Sequence, residues 1–125
     1  MRYFSQPFIQ DQDIAWEAVS TGVRRKILAY DDSLMLVKAD FATGGVGPIH
    51  QHVHSQTTYI ESGEFAVTIG GETRVLRTGD AYYIPPNVPH GATALQAGVL
   101  LDMFSPIRED FMTGHPAYAA ATTTA

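Results

Sequence analysis

The 125-residue sequence contains no cysteine. Disulfides, thiolate metal sites and cysteine nucleophiles are therefore excluded, and any metal must be held by nitrogen and oxygen donors. Long apolar runs are missing too: no stretch is long enough to span a bilayer, and the N-terminal MRYFSQPFIQDQD lacks the apolar core of a signal peptide. A cytoplasmic protein with no membrane partner is expected. Positive charge is scarce, with 8 Lys and Arg against 13 Asp and Glu and a formal net charge of -5. Such a chain offers no electrostatic footprint for nucleic acid or an anionic membrane, which leaves a small solute as the expected partner. The length allows one domain with one core and no second catalytic domain, and 45% hydrophobic with 17% charged residues lies in the globular range.

What is present reads as β-structure. Between Trp16 and Phe41, short β-branched and apolar runs are broken at Thr21-Gly22 and Asp31-Asp32, which predicts three strands. In GEFAVTIGGETRVL, Phe65, Val67 and Ile69 alternate with small or polar residues. Gly70-Gly71 then supplies a tight turn, and Val75-Leu76 return. Gly79-Asp80 ends that strand, AYYIPPNVPH enters a proline-rich loop, and a last strand, VLLDMFSP, is predicted after Gln96-Ala97-Gly98. Helix-like candidates are short, near Gln10 to Trp16 and Arg108 to Met112. Many short strands with regular Gly and Pro turns predict an all-β sandwich or barrel. The residues HPAYAAATTTA have no core-forming pattern, so 1–113 is read as the single domain and 114–125 as a low-complexity C-terminal tail.

The stretch HQHVHSQTTYIESGEF, residues 50–65, sets three histidines at alternate positions ahead of a glutamine. In a straight strand at roughly 3.3 Å per residue, His50 and Gln56 would lie about 20 Å apart, too far for one metal. With metal–nitrogen bonds of about 2.0–2.1 Å, His50 and His52 can chelate together, and Gln56 can join only if the chain bends at His54-Ser55. Such a bend turns His54 out of register. A further ligand must come from a distant strand, and VPHG offers His90. A lone histidine is more often structural than a ligand, and His54 and His115 are read that way; the H-x-H pair with a spaced third is not.

These residues carry a family resemblance. Gly44-x5-His50-x-His52-x3-Gln56-x6-Gly63 resembles the first cupin motif, with glutamine where glutamate is usual, and Gly79-x5-Pro85-x-Asn87-x2-His90 resembles the second. Asn87 stands at a usual glycine, a mild departure because Asn tolerates positive φ, and Ala94 at a usual asparagine. The resemblance implies a single-domain cupin-type jelly-roll β-barrel, with motifs at 44–63 and 79–90, in which His50, His52, Gln56 and His90 bind one divalent metal ion near the mouth. Nickel, zinc, manganese and iron all suit such donors. Glutamine in place of a carboxylate leaves the centre one charge more positive, which favours Lewis-acid binding of an anion and weakens the case for redox iron chemistry.

In Leu100-Leu101-Asp102-Met103-Phe104 the even positions share a strand face, and Arg108 follows Pro106. Taken alone, Asp102 could face solvent and Arg108 could be a surface ion pair of little worth. Beside a Lewis acid, an acid, an aromatic and a guanidinium instead make a small-anion site. Asp102-x-Phe104-Ser105-Pro106-x-Arg108-Glu109-Asp110-Phe111, with the three-histidine, one-glutamine set, is similar to the KdgF family of small cupins. That resemblance implies ring opening of 4,5-unsaturated monouronates from pectin or alginate to linear 4-deoxy-5-keto-uronates, with Asp102, Phe104 and Arg108 as catalytic residues. It also implies a homodimer. Rival classes are a cupin dioxygenase or other metal-dependent isomerase, and a non-catalytic sugar-acid-binding cupin. Tyr59, Tyr82 and Tyr83 read as packing residues, and Gln51 and Thr58 carry no role.

Overall fold

A computed structural model describes residues 1–113, so the tail and His115 lie outside the described residues. The three strands expected before residue 42 are β1 (Glu17–Ser20), β2 (Val23–Asp31) and β3 (Leu34–Phe41), each separated from the next by one of the two predicted turns. β4 (Val46–His50) leads through a bend at residues 51–54 into β5 (Ser55–Ile69), which turns at Gly70-Gly71 into β6 (Glu72–Arg77). Both glycines have positive φ, as the tight turn requires. β7 (Ala81–Ile84) precedes the proline loop, where Asn87 takes a φ of 63°, in keeping with the tolerance of Asn for that conformation. β8 spans His90–Ser105. The helix-like candidates reduce to a 3-10 turn at Asp11–Asp13 and one turn of α-helix, α1, at Glu109–Met112.

All strand pairs are antiparallel, in the order β1-β2-β3-β8-β5-β6, with β4 also on β8 and β7 also on β5. The long strands β5 and β8 pair along most of their length and change their outer partners midway. β8 meets β4 at His90–Thr93 and β3 at Gly98–Phe104; β5 meets β7 at Gln56–Tyr59 and β6 at Glu64–Ile69. Two sheets thus share two bent strands, the jelly-roll barrel expected from the motifs.

One expectation is corrected here: Gln96-Ala97-Gly98 is no turn before the last strand but a kink inside β8. The β5–β8 register shifts between Ile60 and Phe65, opposite that kink, so both chains bend together without separating. Gly63 has φ +95°, and a Cβ on it would sit 2.7 Å from the Gly98 Cα. Two backbones approach too closely at this crossing for side chains, which is why glycines that look like turn punctuation lie within a paired ladder.

Inward-facing residues fill the barrel in two groups. Val23, Phe41, Ile60, Phe65, Val67 and Leu100 pack on one side of the bend, with Phe41 and Phe65 edge to face at 5.3 Å. Tyr3, Ile27, Met35, Val37, Phe104, Ile107 and Met112 form the other, α1 contributing Met112. Gln56 and Thr58 of β5 lie on the same inward faces.

Candidate metal centre and its cavity

β4 ends at His50, the bend carries His52, and β8 begins at His90, paired across the sheet with His50. The bend places the three rings together: centroids are 5.6 Å apart for His50 and His52, 4.4 Å for His50 and His90, and 4.7 Å for His52 and His90. One ligand atom from each lies within 4.8 Å of the others. In each ring Nδ1 is 2.9–3.0 Å from a backbone carbonyl, of Pro48 for His50, of His54 for His52 and of Val88 for His90. A carbonyl only accepts, so Nδ1 carries the proton and Nε2 presents its lone pair. Burial pushes the pKa values of His52 and His90 down, which keeps these rings neutral.

The residues fit a divalent metal. Nε2 of His90 is buried with no hydrogen-bond partner among the described residues. Nε2 of His52 faces the Gln56 Oε1 at 3.0 Å, two acceptors opposed with no proton between them when Nδ1 is the protonated nitrogen. Opposed and orphaned lone pairs in a buried place are costly unless a cation completes them. His54, read as structural, lies outside this group. Its carbonyl orients His52, and its ring lies edge-on to His52 at 5.4 Å.

Gln56 and Thr58 face inward from β5, and Asp102 stands directly opposite Thr58 on β8. The Gln56 Nε2 donates to Thr58 Oγ1 at 3.0 Å and lies 3.4 Å from Asp102 Oδ1, and the Thr58 hydroxyl donates to Asp102 Oδ1 at 2.6 Å. Burial raises the Asp102 pKa to about 6, against the opposing pull of the Thr58 hydrogen bond and the Arg108 charge. A carboxylate poised near neutrality can both take and return a proton.

Arg108 is buried although charged. Its Nε and Nη2 donate to the two carboxylate oxygens of Asp110 at 3.0 and 2.8 Å, and its guanidinium lies 5.2 Å from the Phe104 ring centre and 4.2 Å from that of Phe111. The ion pair considered for Arg108 thus forms, with Asp110 two residues on, but its guanidinium is buried and not at the surface. Asp110 takes the side of the fork and leaves the Nη1–Nη2 end for a second anion. Phe104, 3% exposed, is wedged between His52, at 5.7 Å, and Phe111, also at 5.7 Å. It forms wall more than open platform.

A cavity of about 290 Å³ is lined by His50, Gln56, His90, Asp102, Phe104 and Arg108 together with apolar residues including Val37, Leu100 and Phe111. Every residue singled out as a ligand or catalytic group except His52 lines this space. His52 stands behind it, against His90 and Phe104. Two residues without motif signal belong here as well: Thr58, which links Gln56 to Asp102, and Tyr82, whose ring lines the cavity and whose pKa is pushed up by burial and by the Asp102 charge. Spacing could have exposed Thr58, since it lies two residues from Gln56 on the same strand face. Tyr59 and Tyr83 point outward, 49% and 57% exposed.

A small antiparallel barrel whose mouth gathers three histidines from two distant segments defines a cupin, and the cupin-domain family model matches residues 37–104. The pectin degradation protein KdgF of Dickeya dadantii (strain 3937) is 45% identical over 104 residues, covering 82% of this chain and 94% of that protein. Among solved structures, KdgF from Halomonas sp. superposes with a TM-score of 0.81 at 39% identity, over 86% of this chain and 99% of that one. An RmlC-like cupin from Shewanella frigidimarina NCIMB 400 gives 0.84 at 41%, over 86% and 97%. The chain belongs to the KdgF family of cupins. No helix among the described residues is long and apolar enough to cross a membrane.

Proposed function

We propose that this protein opens the ring of 4,5-unsaturated monouronates released from pectin or alginate, giving linear 4-deoxy-5-keto-uronates. The observation that carries the reading is Asp102: a carboxylate with its pKa raised to about 6, lining one cavity with the histidine cluster and the Arg108 guanidinium. The similarity to a pectin degradation protein supplies the substrate class.

His50, His52, His90 and the Gln56 amide oxygen would hold one divalent metal, which when bound supplies a Lewis acid for substrate oxygens as negative charge develops. The chain's own residues do the rest. The free end of the Arg108 fork binds the uronate carboxylate, and Asp110 keeps that fork oriented. Asp102 removes the proton from the anomeric hydroxyl. The C1–O1 bond gains carbonyl character as the C1–O5 bond breaks, and O5 leaves C1 as the enolate oxygen on C5. Return of the proton from Asp102 to C4 completes the ketone at C5, so one proton moves from O1 to C4 and no atom is gained or lost. Thr58 keeps the Asp102 carboxylate turned toward the cavity. Phe104 and Phe111 exclude water from one wall.

The product distinguishes this reaction from oxygenation by a cupin dioxygenase. Incubation of metal-loaded protein with the unsaturated monouronate, in air and under strict anaerobiosis, should give at equal rates a product of unchanged mass whose C4 olefinic proton signal has disappeared. Oxygen dependence or a gain of oxygen mass would exclude ring opening, and recovery of unaltered substrate would leave only sugar-acid binding.

A further inference from the structure

Thr58 is among the most completely buried side chains in the molecule, 2% exposed, yet it is polar and lies at neither end of its strand. Its position in the hydrogen-bond network accounts for this. A hydroxyl has a single proton, and that of Thr58 is given to Asp102 Oδ1 at 2.6 Å. A carboxylate has no proton to return. Thr58 Oγ1 can therefore only accept from Gln56, so the Gln56 group 3.0 Å away must be its NH2. An amide has one nitrogen and one oxygen. With the nitrogen fixed on Thr58, the oxygen must point the other way, toward His52 Nε2 at 3.0 Å. The polarity of three side chains is thus set in sequence from the carboxylate of Asp102 to the donor atom of Gln56.

We propose that Thr58 is a positioning residue that couples the two halves of the site, holding the Asp102 carboxylate in its rotamer and simultaneously selecting oxygen over nitrogen as the Gln56 atom turned to the metal. The proposal rests on the metal-site reading above and assigns it a determinant at a position the first motif leaves unspecified. An amide is free to flip where a carboxylate is not, since its two ends differ chemically and resemble each other in shape. A site that uses glutamine as a ligand therefore needs something to reject the flipped form, in which an N–H would face the cation. A glutamate at the same position would need no such residue. Thr58 meets this need from the strand position two residues on; its other polar neighbour, the hydroxyl of Tyr82 on β7, leaves the Thr58 proton on Asp102 and the Gln56 NH2 on Thr58 Oγ1.

Thr58→Val keeps the shape and removes the hydroxyl; Thr58→Ser keeps the hydroxyl; Thr58→Ala removes it without the second methyl should valine disturb the packing. Titration of metal-free protein with nickel or zinc alone should show affinity about 10- to 100-fold weaker for the valine and alanine variants, the range typical of residues that orient ligands, with the serine variant close to wild type. Thermal melting of the metal-free proteins should still be cooperative, so that the affinity loss is read on folded protein. In the Gln56→Leu background the same Thr58 substitutions should leave metal affinity unchanged, because no amide remains to orient. In activity, kcat should fall with KM nearly constant and should recover with serine. Wild-type metal affinity in both Thr58→Val and Thr58→Ala would overturn the proposal, as would an equal loss in the Gln56→Leu background. Because the affinity readout needs no substrate, it decides the role of Thr58 even if the wild-type protein proves not to open uronate rings.

Discussion

Three successive rows of the same barrel wall differ in what they carry. Ile60 on β5 faces Leu100 on β8, 0% and 3% exposed, and the pair packs into the apolar group around Phe65. One row along, Thr58 faces Asp102, and one further Gln56 faces Phe104, each again turned inward. The ladder is continuous through all three rows. The first row stabilises the fold by removing apolar surface from water. The next two bring Gln56, Thr58 and Asp102 inside, polar groups whose desolvation is offset by their bonds to one another and would be offset further by a cation at the histidines. An apolar row and polar groups thus lie side by side on the same two strands, and substitutions should separate along that line.

The largest effect is expected among the polar groups. Asp102→Ala, assayed at saturating metal, should lower the ring-opening rate by about 100- to 10,000-fold, the scale of a general acid or base, while folding persists. If the alanine and asparagine variants both kept near wild-type rates, the proton shuttle would be wrong. Among the apolar residues, Phe65→Ala should cost roughly 3–5 kcal/mol of stability in denaturant titration and leave the rate per folded molecule nearly intact. A Phe65 variant that folds well but is inactive would break the division between the rows. Smaller, and confined to substrate binding, is the effect of Arg108→Lys. A lysine cannot hold Asp110 and a second carboxylate through one planar fork, so KM should rise about 10-fold with a lesser change in kcat.

The smallest effect is a pH dependence in metal-free protein. The folded-state pKa of Asp102, about 6, lies above its ordinary 3.8, so its contribution favours the folded state fully below the ordinary value and is lost as pH rises through about 6. His52 and His90 are depressed and act in the opposite sense, so the informative quantity is the difference between wild type and Asp102→Asn. That variant should gain, relative to wild type, on the order of 1–2 kcal/mol between pH 4.5 and 7.5. A difference that stays flat with pH would mean that Asp102 is not desolvated.

Much of this division was legible from residue spacing. The H-x-H pair, the need for a bend before Gln56 and the shared face of Asp102 and Phe104 follow from strand periodicity and bond lengths, and the structure places all of them on the cavity or against it. Turns at Gly70-Gly71 and Asn87 follow from the conformations those residues tolerate. Less legible was whatever depends on partners distant in sequence. Gly98 resembles turn punctuation and is a backbone crossing, because Gly63, which it meets, lies 35 residues away in the chain. The Arg108–Asp110 pair is by contrast local, two residues apart at the start of α1, and spacing alone does not select Asp110 over Glu109 as the partner. Thr58 acquires meaning only once Asp102 stands opposite it across the β5–β8 ladder.

The most direct test of the central claim is the decay of the enol-ether absorbance near ~230 nm, followed with fresh 4,5-unsaturated monouronate and metal-loaded protein against the spontaneous rate and against Asp102→Ala. Accelerated decay with wild type, abolished in the variant when both are saturated with metal, is the predicted result. Decay at the spontaneous rate with metal fully bound, or equal acceleration by the Asp102 variant, would contradict it.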